Sequence, residues 1–408
     1  MKLSRSKSSI RIRSTSRHLT QSNSGLLKID SLPNLRVLCQ RISNETSPES
    51  SAILKTAAIY RSSKPDKIVE KDVVKFRQLS IKSIVDFRSK EEYLLTKDHN
   101  LIDAEYTLYK VCLPNNNYQP GESVTCEVIS RASTLSNINY TSVLYGEPSY
   151  KRRKKSLGSA GGHSSNHHNL NGEEDDEKRH YLINFFTLRY IKRLIYSLPW
   201  YLWLLAFLYI IYDVVTRNKF VNLRRLLVHK AVNKKGLFGQ YVDLIELSQP
   251  SICAALKLIS EPDNLPVLIN CAYGKDRTGI ISALILTCLG MPKSYVAAEY
   301  ALSTEGLEPV RQLVYQDIVG KYELTEEFCN SETETMLKLL NYIEEKYTSV
   351  EGYMCHIGFS LEEQHRLKAN VEAFRHLGYE DDNDDDDHKV TGVVSSKSET
   401  LSSHPKSD

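Results

Sequence analysis

The chain has 408 residues, 41% of them apolar and 25% charged, enough for one large globular domain or two ordinary ones. A net charge of +3 excludes a general electrostatic pull toward nucleic acid, so no nucleic-acid partner is expected. The eight cysteines form no CxxC pair and no zinc-like His/Cys spacing, so no metal and no cofactor are implied, and scattered thiols fit a reducing compartment.

Residues 1–25 are basic and Ser-rich, with Arg5, Arg11, Arg13 and Arg17, and lack the apolar core of a secretory signal. They read as a disordered basic tail, with organelle targeting as the alternative, because apolar residues are too sparse for a good amphipathic helix. One folded domain is expected over 26–379. Short strands are predicted at Leu35–Leu38, Ala57–Arg61 and Ser83–Phe87. Between the last two, Ile68, Val69, Val73, Phe76 and Leu79 share one helical face over Lys67–Leu79. Strand, helix, strand implies a βαβ unit and a parallel sheet, whose ligands bind beyond the carboxyl ends of the strands. Arg61, Asp86 and Arg88 fall at such ends.

A further strand is predicted over Tyr106–Leu113. Residues 114–180, with Asn115–Asn117, the basic run Lys151–Lys155 and Glu173–Lys178, read as a low-complexity loop interrupting the domain. Residues 182–216 form an apolar segment, membrane-associated or a lid, and contain the uncharged run Ile195–Tyr212. Amphipathic helices follow over 218–260, then a short apolar strand at Leu265–Asn270. Thr278–Leu289 reads as an apolar helix stopped by Gly290 and Pro292. Further helices are predicted at Ser294–Ser303, Glu308–Val319, Glu332–Tyr347 and Ser360–Leu377, and residues 380–408 as a disordered acidic tail.

The chemistry-bearing motif lies between the last strand and the helix after it. Cys271-Ala272-Tyr273-Gly274-Lys275-Asp276-Arg277 is a C-x5-R loop, followed by Thr278 and Gly279. Helix N-termini present unpaired N–H groups and a positive dipole end, and a loop wrapped around one aims successive amides at a single anion. The amides of Ala272, Tyr273 and Gly274 would bind the phosphate, and Arg277 would fork onto its oxygens. Such an electropositive cup favours the Cys271 thiolate, placed for in-line attack on a phosphate monoester with a phosphocysteine intermediate. Thr278 can donate its hydroxyl to that thiolate. Lys275 reads either as a rim cation for additional phosphates or as a solvated lysine. Leaving-group departure needs an acid. Asp276 is nearest, although its flanking cations favour the ionised form; Asp86 and Asp243 are alternatives, and Asp86 equally suits orienting Arg277.

The run Cys271–Gly279 resembles the signature of the atypical, triple-specificity tyrosine phosphatases, a family that includes secreted phosphatases of mycobacteria and listeria. Tyr60-Arg61-Ser62-Ser63, Ile84-Val85-Asp86-Phe87-Arg88-Ser89 with Glu91, Glu299–Ser303 and Ser349–Tyr353 with Gly358 are similar to the family's other blocks. The resemblance implies a cysteine-phosphatase fold of the α/β class: a central, mostly parallel sheet flanked by helices, here with an apolar helical insertion. It implies action on phosphotyrosine and phosphoinositides, and proton transfer by Asp276. The family usually carries His before the cysteine where this chain has Asn270, which cannot hold a charge. That departure is the one support for the alternative function, a weak or inactive pseudophosphatase serving as a phosphate-binding scaffold.

The uncharged run approaches the ~20 apolar residues a bilayer core requires, so hydropathy alone predicts a transmembrane helix. A single crossing would separate the early strands from the catalytic loop by a core ~30 Å thick. Basic residues flank both ends: Arg189, Lys192 and Arg193, then Arg217, Lys219, Arg224 and Arg225. A shallow or re-entrant insertion broken near Pro199 is therefore expected, with 195–212 on a membrane surface and the catalytic domain in the cytosol.

Overall fold

The computed structural model describes residues 27–38, 57–94, 101–102, 104–113, 124–130, 177–218 and 220–384. The two expected tails and most of 114–180 lie outside these residues, save for the segments noted below.

Among the described residues, seven strands form one sheet in the order β1-β2-β7-β3-β6-β4-β5. They are β1 (Arg36–Val37), β2 (Ile59–Ser62), β3 (Ser83–Asp86), β4 (Thr107–Cys112), β5 (Thr125–Ser130), β6 (Arg179–Leu182) and β7 (Val267–Asn270). The five inner strands run parallel, and β1 and β5 close the two edges antiparallel. Period-two alternation splits each inner strand between two cores. Ile59, Val85, Val267 and Ile269 face a large helical layer; Tyr60, Ile84 and Leu268 face a smaller one. The small layer holds α1 (Glu70–Arg77) and the chain from Leu27 to Leu35. Burial on both faces explains why β7 reads as an unbroken apolar run.

Five helices surround the site. After β3 comes the short α2 (Lys90–Leu94). In the large layer, α6 (Asn233–Leu247) and α7 (Gln249–Ser260) lead to β7, and α8 (Asp276–Cys288) leaves it. Helix α9 (Lys293–Gly306) packs on α8. The layer also contains α3 (Leu188–Tyr196), α4 (Trp200–Val215), α5 (Val221–Leu227), α10 (Arg311–Tyr315), α11 (Thr333–Tyr347), α12 (Val350–His356) and α13 (Leu361–Asp384).

Register brings the site together. Ser62 of β2 and Asp86 of β3 both pair with Asn270 of β7, so three strands end at one level. Cys271 begins the next turn, flanked by Ser63 and Phe87.

Three expectations need correction. The loop expected over 114–180 contains β5 and the start of β6. Val124, Cys126 and Val128 alternate with polar neighbours, and pairing with β4 satisfies that backbone, a signal hidden among low-complexity residues. Helix α13 continues to Asp384, into the acidic run expected as a tail, since each added residue of an existing helix costs little. Among the described residues, no helix is long and apolar enough to cross a membrane, which corrects the transmembrane helix. The chain breaks at Pro199, and the 16 residues of α4 give about 24 Å of length. Asp213 then ends the segment by accepting from Leu223 N at 3.0 Å and Asn222 Nδ2 at 2.7 Å, tying the α4–α5 turn.

Candidate active site

The loop from Cys271 to Lys275 is held by its carbonyls. Asn270 O accepts from Phe87 N at 2.8 Å and Ala272 O from Lys64 N at 3.4 Å. Asn34 Nδ2 reaches both Tyr273 O and Gly274 O at 3.0 Å, and Arg61 Nη2 reaches Gly274 O at 2.7 Å. In a trans peptide the next N–H points opposite to the C=O. Tying the carbonyls to the outer wall therefore turns the following amides inward, toward a common hollow. Gly274 makes the closest approach: its φ is +65°, and a Cβ there would sit 2.0 Å from Ser62 O.

Arg277 lies on the first turn of α8 and is buried. Nη1 donates to Phe87 O at 2.7 Å and to Glu92 Oε2 at 2.8 Å; Nη2 donates to Glu92 Oε1 at 2.9 Å. This end-on fork leaves Nε–H and the second Nη2–H, which lie along one edge of the guanidinium, without acceptors among the described residues. That edge matches two phosphate oxygens. Burial works against the charge, but Glu92, and next the Cys271 sulfur, hold the Arg277 pKa above its ordinary value. The Phe186 ring lies 5.0 Å beneath the guanidinium. Cys271 is buried at the start of the loop.

Asp276 opens α8. Its Oδ1 accepts from Tyr241 OH at 2.6 Å and lies 3.3 Å from Lys275 Nζ. Lys275 itself turns inward: Nζ donates to Phe328 O at 2.5 Å and Asn330 O at 2.9 Å, and its side chain is 1% exposed. It is thus neither a rim cation nor a solvated lysine, because two carbonyls compensate its burial. The Tyr273 hydroxyl donates to Asp317 Oδ2.

Arg61 is fully buried and braces the loop from outside. Its Nη1 pairs with Glu299 Oε2 at 2.6 Å, and Arg36 Nε pairs with Glu299 Oε1 at 2.7 Å. Asp86 does not orient Arg277. It belongs to a buried cluster with Arg88, Asp66 and His180, the last at 3.4 Å. Burial alone would raise its pKa, but Arg88 and His180 hold the carboxyl well below the usual range. Asp243 pairs with Lys235 at 2.6 Å on α6. The Thr278 hydroxyl and both amide atoms of Asn270 are buried without a partner among the described residues, so the expected Thr278–Cys271 bond is not made in this arrangement. The described residues contain no His/Cys/Asp/Glu group able to hold a metal.

Sequence reasoning missed Glu92, Tyr241 and Asn34. For Glu92 a signal existed: Ser89-Lys90-Glu91-Glu92 is a capping box, with Ser89 N donating to Glu92 Oε2 at 2.9 Å and Glu92 N to Ser89 Oγ at 3.1 Å. It puts the carboxylate one turn past the end of β3, facing the loop.

The chain matches the profile described as "Tyrosine phosphatase family" over residues 27–184 and 202–372. A tyrosine-protein phosphatase of Nostoc commune is 40% identical over 68 residues, 17% of this chain and 23% of that protein. A triple specificity protein phosphatase, PtpB, of Mycobacterium tuberculosis is 26% identical over 118 residues, 26% of this chain and 43% of that protein. These matches span less than half of either relative. The unmatched stretch 185–201 takes in α3 but only Trp200 and Tyr201 of α4, so α4 lies mostly within the family match and the expected apolar insertion is not supported.

Proposed function

Because this chain belongs to the tyrosine phosphatase family, we propose that it hydrolyses phosphate monoesters through a phosphocysteine on Cys271, acting on phosphotyrosine, phosphoinositides or both. The observation that carries this reading is the Arg277 guanidinium, held by Glu92 within electrostatic reach of the buried Cys271 sulfur, and a loop whose carbonyls are tied outward. The Cys271 sulfur attacks phosphorus as the bond to the leaving oxygen breaks, and Asp276 gives that oxygen its proton. Water then attacks the phosphocysteine, Asp276 takes a proton back, and the thiolate and inorganic phosphate are released. The loop amides and Arg277 hold the three equatorial oxygens throughout. Turnover of an aryl phosphate by wild type, abolished in Cys271→Ser, is the expected result. Equal, low rates from both proteins would favour the phosphate-binding scaffold. Purified protein assayed on phosphotyrosine peptides and on each phosphoinositide in liposomes separates the two substrate classes.

A membrane surface is the proposed place of action. Helix α4 buries one face, centred on Ala206, and exposes the other: Trp200 is 78% exposed, Leu204 66% and Phe207 57%. An exposed apolar face of this extent marks an interaction site. Basic residues adjoin it. On α3, Arg189, Lys192 and Arg193 are exposed on the same face as Tyr196, whose ring packs on Trp203 of α4 at 5.9 Å. Aromatic and aliphatic side chains bordered by cations suit the interface of an anionic bilayer, with the helix lying in the plane and the cup on the cytosolic side. Wild type should sediment with phosphatidylserine-containing vesicles and the double variant Leu204→Ser/Phe207→Ser should not. Unchanged sedimentation with altered rates on a soluble substrate would make α4 a lid instead. The organelle-targeting alternative falls on residues outside those described.

A further inference from the structure

The Asp276 carboxylate is held by one side only. Oδ1 accepts from Tyr241 OH at 2.6 Å and lies 3.3 Å from the Lys275 ammonium, and among the described residues Oδ2 takes no donor. The side chain is 34% exposed, so solvent or substrate reaches it.

Tyr241 is fully buried on α6, and its oxygen lies 2.7 Å from Tyr300 OH on α9. A phenol has one proton and a carboxylate none. The Tyr241 proton therefore goes to Asp276, and Tyr300 donates to Tyr241. The result is a directed chain from the helical core to the loop, Tyr300 to Tyr241 to Asp276. Its far end is fixed by the catalytic helix: a Cβ on Gly279 would lie 2.9 Å from Tyr300 Cδ2, so only glycine lets the ring sit there. Burial pushes both phenol pKa values up, with the Asp276 charge adding to it, which keeps both as donors.

We propose that Tyr241, backed by Tyr300, is a positioning residue that decides which oxygen of Asp276 carries the transferable proton. This rests on the reading of Asp276 as proton donor to the leaving group in a Cys271-dependent phosphatase. An oxygen already accepting the Tyr241 proton, with the Lys275 ammonium 3.3 Å away, is the poorer place for a further proton. The proton therefore resides on Oδ2, and Tyr241 also fixes the rotamer that aims it. Tyr241 lies outside the signature run, on a helix more than thirty positions earlier, and reaches Asp276 only through the packing of α6 against α8.

The test compares two aryl phosphates on full-length protein. Phenyl phosphate has a poor leaving group that needs protonation; 2,4-dinitrophenyl phosphate has a good one that does not. Tyr241→Phe should lower kcat/KM for phenyl phosphate about tenfold, a part of the 10²–10⁴ that general acid catalysis contributes, and leave dinitrophenyl phosphate within about twofold. Orthovanadate inhibition within about threefold of wild type would show that the cup is intact. Tyr300→Phe should give a smaller difference of the same sign, and it serves where Tyr241→Phe does not fold. Equal losses on both substrates, or no loss on either, would overturn the proposal. Asp276→Asn is the reference: a loss without leaving-group dependence there would also overturn it. If instead Cys271→Ser retained turnover, the phosphocysteine reading would fail, a separate outcome.

Discussion

Replacing Glu92 with Gln tests whether Arg277 is held in place by its carboxylate. The wild-type pair has two charge-assisted bonds, 2.8 and 2.9 Å, with Arg277 7% exposed. Gln keeps one carbonyl acceptor, loses the charge and sets an NH₂ against a guanidinium. The loss is roughly that of one hydrogen bond to a charged group, about 1.5–3 kcal/mol. If all of it falls on the transition state, kcat drops about 10- to 150-fold. A second effect opposes the first for binding alone: removing an anion from beside the cup makes it more attractive to a dianionic substrate. The expected pattern is therefore a large fall in kcat with KM unchanged or lower. Steady-state kinetics on an aryl phosphate, with orthovanadate inhibition and circular dichroism as checks, give the comparison. A kcat within twofold of wild type in a folded Glu92→Gln protein would refute the reasoning, because Arg277 would then be set by Phe87 O and packing alone.

Three further outcomes follow from the same contacts. Glu299→Ala leaves the buried Arg36 and Arg61 without their shared anion and should destabilise the fold by about 3–5 kcal/mol in urea unfolding, with Glu299→Gln milder. Gly274→Ala forces a positive φ on a residue with a Cβ and drives that carbon against Ser62 O; aryl phosphate turnover should fall below a hundredth of wild type, and vanadate inhibition should weaken in parallel. Asp86 has a folded-state pKa below its unfolded value of about 4, so its stabilisation is complete above that value and is lost as pH falls toward the lower folded one. Thermal melts should show stability declining below pH 4, and a flatter decline in a folded Asp86→Asn protein would confirm the source.

Much of the catalytic loop was legible because its signal is local. An apolar strand, a C-x5-R run and an apolar helix are adjacent in the chain, and their order alone builds a cup at a helix N-terminus. The parallel sheet was legible for the same reason, from Ala57–Arg61 and Ser83–Phe87 as strands separated by the helical spacing of Lys67–Leu79. Strand β5 was not, because its alternation is short and lies among residues with no pattern of their own.

Local patterns in the chain suffice to mark the loop residues and the parallel strands that present them. Tertiary structure decided what each charged side chain does. Arg61 was expected at a strand end where ligands bind, and Lys275 as a rim cation or a solvated lysine; one braces the loop from outside and the other points inward to two carbonyls. Asp86 was a candidate to orient Arg277, and that place belongs to Glu92, 185 positions from its partner. The physical reason is range. Periodicity and capping act over a few residues, whereas a charge buried in a low-dielectric interior takes whichever partner the packing of distant elements brings within about 3 Å.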